Sequence, residues 1–269
     1  MNDSDKVFAG SIPALYEQYL VPMIFAPYAA DLVRRVVGLK PRRILEIAAG
    51  TGVVTRAMAD ALPDADIIAT DLNPAMLEQA RATGTSRQVE WRQADAMALP
   101  FDSGTFDAVV CQFGAMFFPD KPLAFAEARS VLKPGGSFLF NAWDRIEDND
   151  FAAAIGDALA GVFPDDPPRF MARTPHGYHD VSVIARDLAA AGFESSPRIE
   201  TIAMRSTAAS PRVVAVAYCQ GTPWRNEIEA RDPSKLEAAT DAAEAEIARR
   251  FGNGPVDGRI QAHVIEVRA

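Results

Sequence analysis

Residues 44–52 read Ile44-Leu45-Glu46-Ile47-Ala48-Ala49-Gly50-Thr51-Gly52, a short apolar run that stops at a glycine-rich turn. Helical spacing follows from Val53 to Leu62, until Pro63-Asp64 breaks it. A second apolar run, Ile67-Ile68-Ala69-Thr70, leads into Asp71, and Pro74 opens a helix through Arg81 with Asn73 placed as its N-cap. The alternation continues with Gln88 to Arg92 as a short strand and Phe106 to Cys111 as a fourth. Lys121 to Leu132 reads as a helix, Lys133-Pro134-Gly135-Gly136 as a turn and Ser137 to Trp143 as a fifth strand. Strands this short and nearly continuous in hydrophobicity, separated by helices, indicate a parallel sheet covered on both faces. Right-handed crossovers wind such a sheet doubly and leave ligands at the carboxyl ends of its strands. The expected core is Rossmann-like α/β.

The bulk properties exclude several classes. At 269 residues the chain can hold one large domain with an appendage, or two small domains. It carries 36 acidic against 27 basic residues, a net charge of -9, and its basic pairs (Arg34-Arg35, Arg42-Arg43, Arg249-Arg250) are isolated doublets. That balance disfavours a phosphate backbone as partner, so no nucleic acid is expected. The first residues are acidic where a signal peptide would be basic, and no run approaches the length of a membrane helix. The expectation is a cytoplasmic protein without membrane insertion. Cys111 and Cys219 are the only cysteines and lie far apart, so neither a disulfide framework nor a zinc knuckle is implied.

The glycine turn carries the chemistry. Glycine is needed where the chain turns sharply or a ligand packs on the backbone. Gly50-Thr51-Gly52 alone is a weak signal, and the third glycine of a nicotinamide-binding fingerprint is absent at Thr55. Glu46 says more. A carboxylate at the end of the first strand is awkward beside a pyrophosphate but suits a cationic ligand. S-adenosylmethionine (SAM) has an ammonium and a sulfonium and no phosphate. Asp71 stands where an acid can accept both hydroxyls of an adenosine ribose, which fits NAD as well as SAM. Asp95-Ala96 follows the third strand, where a carboxylate and an adjacent N–H can read the adenine edge. Blander readings stay open at each place: Glu46 paired with Arg42 or Arg43, Asp71 as a helix cap, Asp95 as a solvated acid, Cys111 as core.

Four stretches, ILEIAAGTGVVT, ATDLNPAMLEQA, QADAMALPFDSGTFDAVVCQFG and LKPGGSFLF, resemble the successive motifs of the class I SAM-dependent methyltransferases. Within them the chain is most similar to the type 11 group, which includes the ubiquinone- and menaquinone-pathway C-methyltransferases. The resemblance covers Arg42 to about Trp143. One departure is Ala48, where the family's usual pattern has its first glycine. By position, the resemblance implies a cofactor site built of Glu46, Ala48, Gly50, Thr51, Gly52, Asp71, Leu72, Met76, Asp95, Ala96, Gln112 and Phe113. Glu46 and Gly50 would line the methionine part, Asp71 would hold the ribose with Leu72 beside it, and Asp95 and Ala96 would bracket the adenine. Gln112 and Phe113 would face the methionine moiety and the reaction centre. The implied product is S-adenosylhomocysteine. The implied fold is a mostly parallel seven-stranded sheet with an antiparallel edge strand.

The rest of the chain is read as accessory. Residues 1–38 are expected to form an N-terminal helical lid over the cofactor, interrupted at Pro22 and Pro27, and 39–146 the SAM-binding core. Residues 147–269 supply helical cap elements, edge strands and a helical insertion at 211–251. Phe151 to Val162 and Val181 to Ala191 read as helices, and the Pro164–Pro175 stretch as a loop. Ile199 to Met204 and Ile260 to Val267 read as strands able to pair as an edge hairpin, and two helical segments fill the insertion. The aromatic residues Phe113, Phe117 and Phe118 with Met116 are either core or a wall of the acceptor site, and Tyr16, Tyr19, Phe25 and Tyr28 share that ambiguity. His176 and His179 form an H-x-x-H pair beside Asp180, but Pro175 and Gly177 make it a loop without a third ligand, so no metal site is expected.

The activity so implied is in-line methyl transfer to a small organic or lipid-like acceptor, in a protein for which a homodimer is allowed. A non-catalytic SAM-binding regulator and a nicotinamide-dependent oxidoreductase are the alternatives. No general base is assigned.

Overall fold

The computed structural model describes Asp5 and residues 7–269; the opening residues of the expected lid, 1–4 and 6, lie outside the described residues. The chain runs α1 (Ile12–Leu15), a π-helix (Tyr16–Phe25), α2 (Ala26–Leu39), β1 (Arg43–Glu46), α3 (Val53–Ala61), β2 (Asp66–Asp71), α4 (Pro74–Thr83), β3 (Glu90–Gln93) and β4 (Phe106–Gln112). It continues through α5 (Lys121–Val131), β5 (Leu132–Trp143), α6 (Asp150–Val162), α7 (Phe170–Arg173), α8 (Val181–Ala190) and β6 (Arg198–Ala208). The last elements are α9 (Pro211–Gly221), α10 (Trp224–Arg231), α11 (Leu236–Phe251) and β7 (Val256–Arg268). Among the described residues no helix is long and apolar enough to cross a membrane.

The strands form a seven-stranded sheet in the order β3-β2-β1-β4-β5-β7-β6, parallel from β3 to β5, with β7 antiparallel to β5. The strands expected to pair at the edge do so: β7, antiparallel to β5, lies one place in and β6 takes the edge beside it.

Two compact units divide the chain. The sheet unit comprises Tyr28–Trp143, Tyr178–Ile202 and Ala262–Ala269. Its two faces have different chemistry. On one, Ala29, Leu32, Val33 and Val36 of α2 and Val54, Met58 and Ala59 of α3 pack with Ile44, Ile67, Val110, Leu139 and Val264. On the other, Phe125 of α5 meets Phe138 and Phe140 at 5.6 and 5.2 Å between ring centroids, and Phe193 continues the row. The start of β1 is pinned to β4 by Asp107, whose carboxylate accepts from the Arg42 and Arg43 amides and from Lys133.

The helical unit comprises Met1–Pro27, Asp144–Gly177 and Ala203–Gln261. In it α9 packs on α1 and the π-helix, and α11 on α9 and α6. Arg212 of α9 holds Glu237, Asp241 and Glu244 of α11. In a second charge cluster the acids are buried: the half-buried Arg173 donates to Asp5 and Glu227, and the Thr174 hydroxyl donates to Asp5 at 2.6 Å. The N-terminal aromatic segment and the 211–251 insertion, two stretches that no motif explains, thus meet in one unit.

The structure corrects the expected boundaries. Helix continues from Ile12 to Leu39 without the breaks expected at Pro22 and Pro27. Pro22 lies inside the π-helix, where the wider winding accommodates a residue that cannot donate and that clashes with the carbonyl four places back. The chain changes unit at Pro27/Tyr28, inside the stretch expected to close over the cofactor, and α2 belongs to the sheet unit because its apolar face is core. Besides β1 to β5 the sheet unit contains α2, α8, the start of β6 and the far end of β7. The insertion holds three helices rather than two, and α7 adds a turn inside the proline-rich loop.

Leu32→Ala should cost about 2–5 kcal/mol of stability in urea titration, as for other buried leucines. A loss below about 1 kcal/mol would place α2 outside the core.

Candidate functional site

The strand order reverses between β1 and β4, the position where a doubly wound sheet opens a crevice at its carboxyl edge. Glu46 to Gly52 follow β1 there, Asp71, Leu72 and Met76 follow β2, Asp95 and Ala96 follow β3, and Gln112 and Phe113 close β4. These are four adjacent strand ends.

The loop after β1 is a tight one. Ala48, Gly50 and Gly52 all have left-handed φ, at 53°, 58° and 85°. The Ala49 amide donates to Thr70 O, the Gly52 amide to Ala49 O, and the Arg56 guanidinium to Thr51 O at 2.6 Å. Gly52 owes its lack of a side chain to this chain itself, since a Cβ there would lie 2.5 Å from the Trp91 ring. At Gly50 a Cβ would meet only Met76 at ordinary contact distance, so φ is the constraint. Ala48 occupies the position of the usual glycine at the cost of a left-handed alanine. Its Cβ is accommodated by Gly114, where a Cβ would come within 2.5 Å of it.

Glu46 is buried at the end of β1 and accepts a hydrogen bond from the Thr55 hydroxyl. Removal from water pushes its carboxyl up to about 8, with the Thr55 bond and the Arg56 charge opposing and Asp71 adding to the rise. The arginines weighed as its partners, Arg42 and Arg43, instead present their amides to Asp107. Asp71 uses both oxygens on the backbone: Oδ2 accepts from the Gly50 amide and Oδ1 from the Asn73 amide, each at 2.8 Å. Desolvation raises its carboxyl above the ordinary range against those two donors. It ties the loop after β1 to the end of β2, while Asn73 caps α4 through Ala75 N. Asp95 accepts from the Met97 amide at 2.9 Å and anchors the turn after β3. Leu72 is exposed, and the Thr51 hydroxyl is buried without a hydrogen-bond partner among the described residues.

Phe113 also has left-handed φ, 52°, which is costly for a bulky residue. Its ring stacks on Trp143 at 3.8 Å between centroids and 7° between planes. Tyr28 meets both rings edge-on at 5.3 and 5.5 Å and donates its hydroxyl to Ile202 O. Aromatic pairs of this kind are worth about 0.5–1.5 kcal/mol each, comparable to the strain of one such residue. The Phe113 ring is therefore used in packing, as are the buried Met116 and Phe118, and Phe117 is the partly exposed member of the group. His176 is buried with Nδ1 against Asp144 O at 2.7 Å, and the His179 carbonyl faces His263 Nε2. Among the described residues there is no cluster of three metal-ligating side chains.

Several residues that shape the site were not singled out from the sequence: Thr55, Arg56, Trp91, Gly114 and Trp143. Thr55 stands one helical turn past Gly52, which was a usable signal. Trp91, Gly114 and Trp143 meet their partners only across strands.

A family described as a methyltransferase domain matches residues 44–136. The chain is 32% identical over 185 residues to the demethylmenaquinone methyltransferase of Thermus thermophilus, covering 62% of this chain and 83% of that protein. It is 38% identical over 134 residues to the demethylmenaquinone methyltransferase of Deinococcus radiodurans, covering 45% and 56% respectively. Its fold is similar to that of phosphoethanolamine N-methyltransferase 2 of Haemonchus contortus, in complex with phosphomonomethylethanolamine and S-adenosylhomocysteine. That similarity has a TM-score of 0.61 at 16% identity and covers 98% of this chain and 59% of that one.

The dry carboxyl of Glu46 sets a pH dependence. Its folded pKa of about 8 lies above the ordinary 4.5, so the stability it contributes is full below about 4.5 and is lost as pH rises through 8. Glu46→Gln should therefore gain thermal stability relative to the unsubstituted chain as pH rises from 5 to 8.5. A difference in Tm that stays flat over that range would mean the carboxyl is solvated.

Proposed function

The chain belongs to the class I SAM-dependent methyltransferases, and from that membership we propose how its own residues hold the cofactor and what acceptor they serve. SAM is the cofactor of this family, and when bound it supplies a methyl group on a cationic sulfur. The residues at the carboxyl edge fit such a group. A buried carboxylate and an orphaned threonine hydroxyl lie at the end of β1, and an exposed leucine at the end of the neighbouring β2.

In this reading Glu46 faces the ammonium, and the backbone of Ala48, Gly50, Thr51 and Gly52 lines the amino-acid part with Gln112. Phe113 contributes its backbone, because its ring is held by Trp143. Asp71 accepts the ribose hydroxyls with its remaining lone pairs, with Leu72 and Met76 against the nucleoside, and Asp95 and Ala96 read the adenine. The single observation that carries the assignment is Glu46, a carboxylate kept dry at a strand end where a cation would repay its desolvation. Held in line with a nucleophile, a sulfonium methyl needs orientation above all, which supplies about 7–11 kcal/mol in favourable cases.

The acceptor is a small, lipid-like molecule of the demethylmenaquinone kind. Two features support this: the names of the Thermus and Deinococcus relatives, and the acidic balance that disfavours nucleic acid. Choice of acceptor is assigned to the segments outside residues 44–136, where the family match ends. A cytoplasmic location belongs to the same reading and is supported by two buried free thiols.

S-adenosylhomocysteine should bind in calorimetry and NAD should not. Its affinity should rise approaching tenfold per unit between pH 6 and 7.5 and level off near 8, because an ammonium beside Glu46 releases its proton. A pH-independent affinity would remove Glu46 from the ammonium site. Asp71→Asn should weaken binding about ten- to a hundredfold, since charged acceptors hold hydroxyls more strongly than neutral ones. Methyl release should appear with reduced demethylmenaquinone and not with small amines; the reverse result would reassign the acceptor.

A further inference from the structure

Asn141 is wholly buried in β5, on the sheet face that otherwise packs Ile44, Val110, Leu139 and Val264 against α2 and α3. A primary amide is costly there unless both of its ends are satisfied. Its Nδ2 faces the His263 carbonyl on β7 at 3.5 Å, and its Oδ1 has no hydrogen-bond partner among the described residues. The orientation is not interchangeable. A backbone carbonyl can only accept, so the nitrogen belongs toward His263 and the oxygen is left pointing away.

What lies beside that oxygen follows from the register. Asn141 is paired with Gln112 across the parallel β4–β5 ladder, so both side chains leave the same face of neighbouring strands. Gln112 closes β4 at the carboxyl edge, two residues beyond Val110, which is itself paired with Glu46. A glutamine amide at this place has two possible faces, and only its oxygen is compatible with a cation.

We propose that Asn141 is a positioning residue that sets the polarity of Gln112. Resting on the assignment of Gln112 to the amino-acid end of the cofactor, it does so through a directional chain. Asn141 Nδ2 donates to the His263 carbonyl, and Asn141 Oδ1 accepts from Gln112 Nε2 when the ligand is bound. Gln112 Oε1 is then turned outward to the ligand's ammonium. The chain begins at a group that can only accept, so each successive amide is forced into one orientation. The buried oxygen on β5 is kept because it orders the residue next to it. A purely structural amide would be satisfied within the ligand-free fold.

The test compares two ligands that differ at the amino-acid end. S-adenosylhomocysteine carries the ammonium, and 5′-methylthioadenosine lacks it. Asn141→Leu should lower the affinity for S-adenosylhomocysteine about tenfold, as expected for loss of one hydrogen bond to a charged group. It should leave the affinity for 5′-methylthioadenosine unchanged and the ligand-free Tm equal or higher. Adding it to Gln112→Ala should bring no further loss, because the two residues act as one unit. Asn141→Val serves the same comparison if leucine overfills the site. Equal losses for both ligands, or additive effects of the two substitutions, would overturn the proposal and leave Asn141 as a core or water-binding amide. If Gln112→Ala itself leaves S-adenosylhomocysteine binding intact, the assignment of Gln112 fails instead, and the positioning role falls with it.

Discussion

A carboxylate taken out of water at the end of β1 is the constraint around which the sheet unit is arranged. Glu46 is followed at once by a loop whose amides are spent on Thr70 O and Ala49 O, and whose carbonyl at Thr51 is held by Arg56. Asp71 fastens that loop to the next strand through Gly50 N. The loop therefore has little freedom to relax around an ionised Glu46. In the absence of a cation the group answers by holding its proton, which is the reason its carboxyl sits near 8.

Rigidity here has a backbone cost. Ala48 and Phe113 both hold left-handed conformations on loops that leave adjacent strands. Each is stabilised from outside its own segment: Ala48 by the space left at Gly114, Phe113 by the Trp143 stack and the Tyr28 edge contacts. Strain concentrated at strand ends and offset by packing is a property of binding sites rather than of sheet cores. Tyr28 links these elements, since it belongs to α2, the helix that also covers the aliphatic face. The cost of shaping the edge is thereby tied to the stability of the core.

The helical unit is assembled differently. Its helices come from three separate stretches of chain; Arg173 with Asp5 and Glu227 ties all three together, while Arg212 with its three acids ties α9 to α11 within the last of them. The buried acids held by Arg173 specify which surfaces meet more than they add stability, whereas the Arg212 cluster is exposed. Each arginine lies far in sequence from the acids it holds, so the pairing had no local signature.

While the class of cofactor came from the resemblance of four motifs to a known family, local patterning and the spacing of a few residues were enough to establish the alternation of strands and helices, the glycine turn and the acids at three strand ends. These depend on short-range physics: the period of apolar residues, proline and glycine at breaks, a capping asparagine, a carboxylate where a phosphate would be expected. Tertiary structure alone decided that Pro22 is absorbed in a wide helix, that α2 is core, and that β7 lies inside the sheet with β6 at its edge. It also decided that the Phe113 ring packs inward and that Asn141 stands beside Gln112. Those outcomes depend on which strand neighbours which and on what fills the space between them, and residues distant in the chain compete for that space only once the sheet has formed.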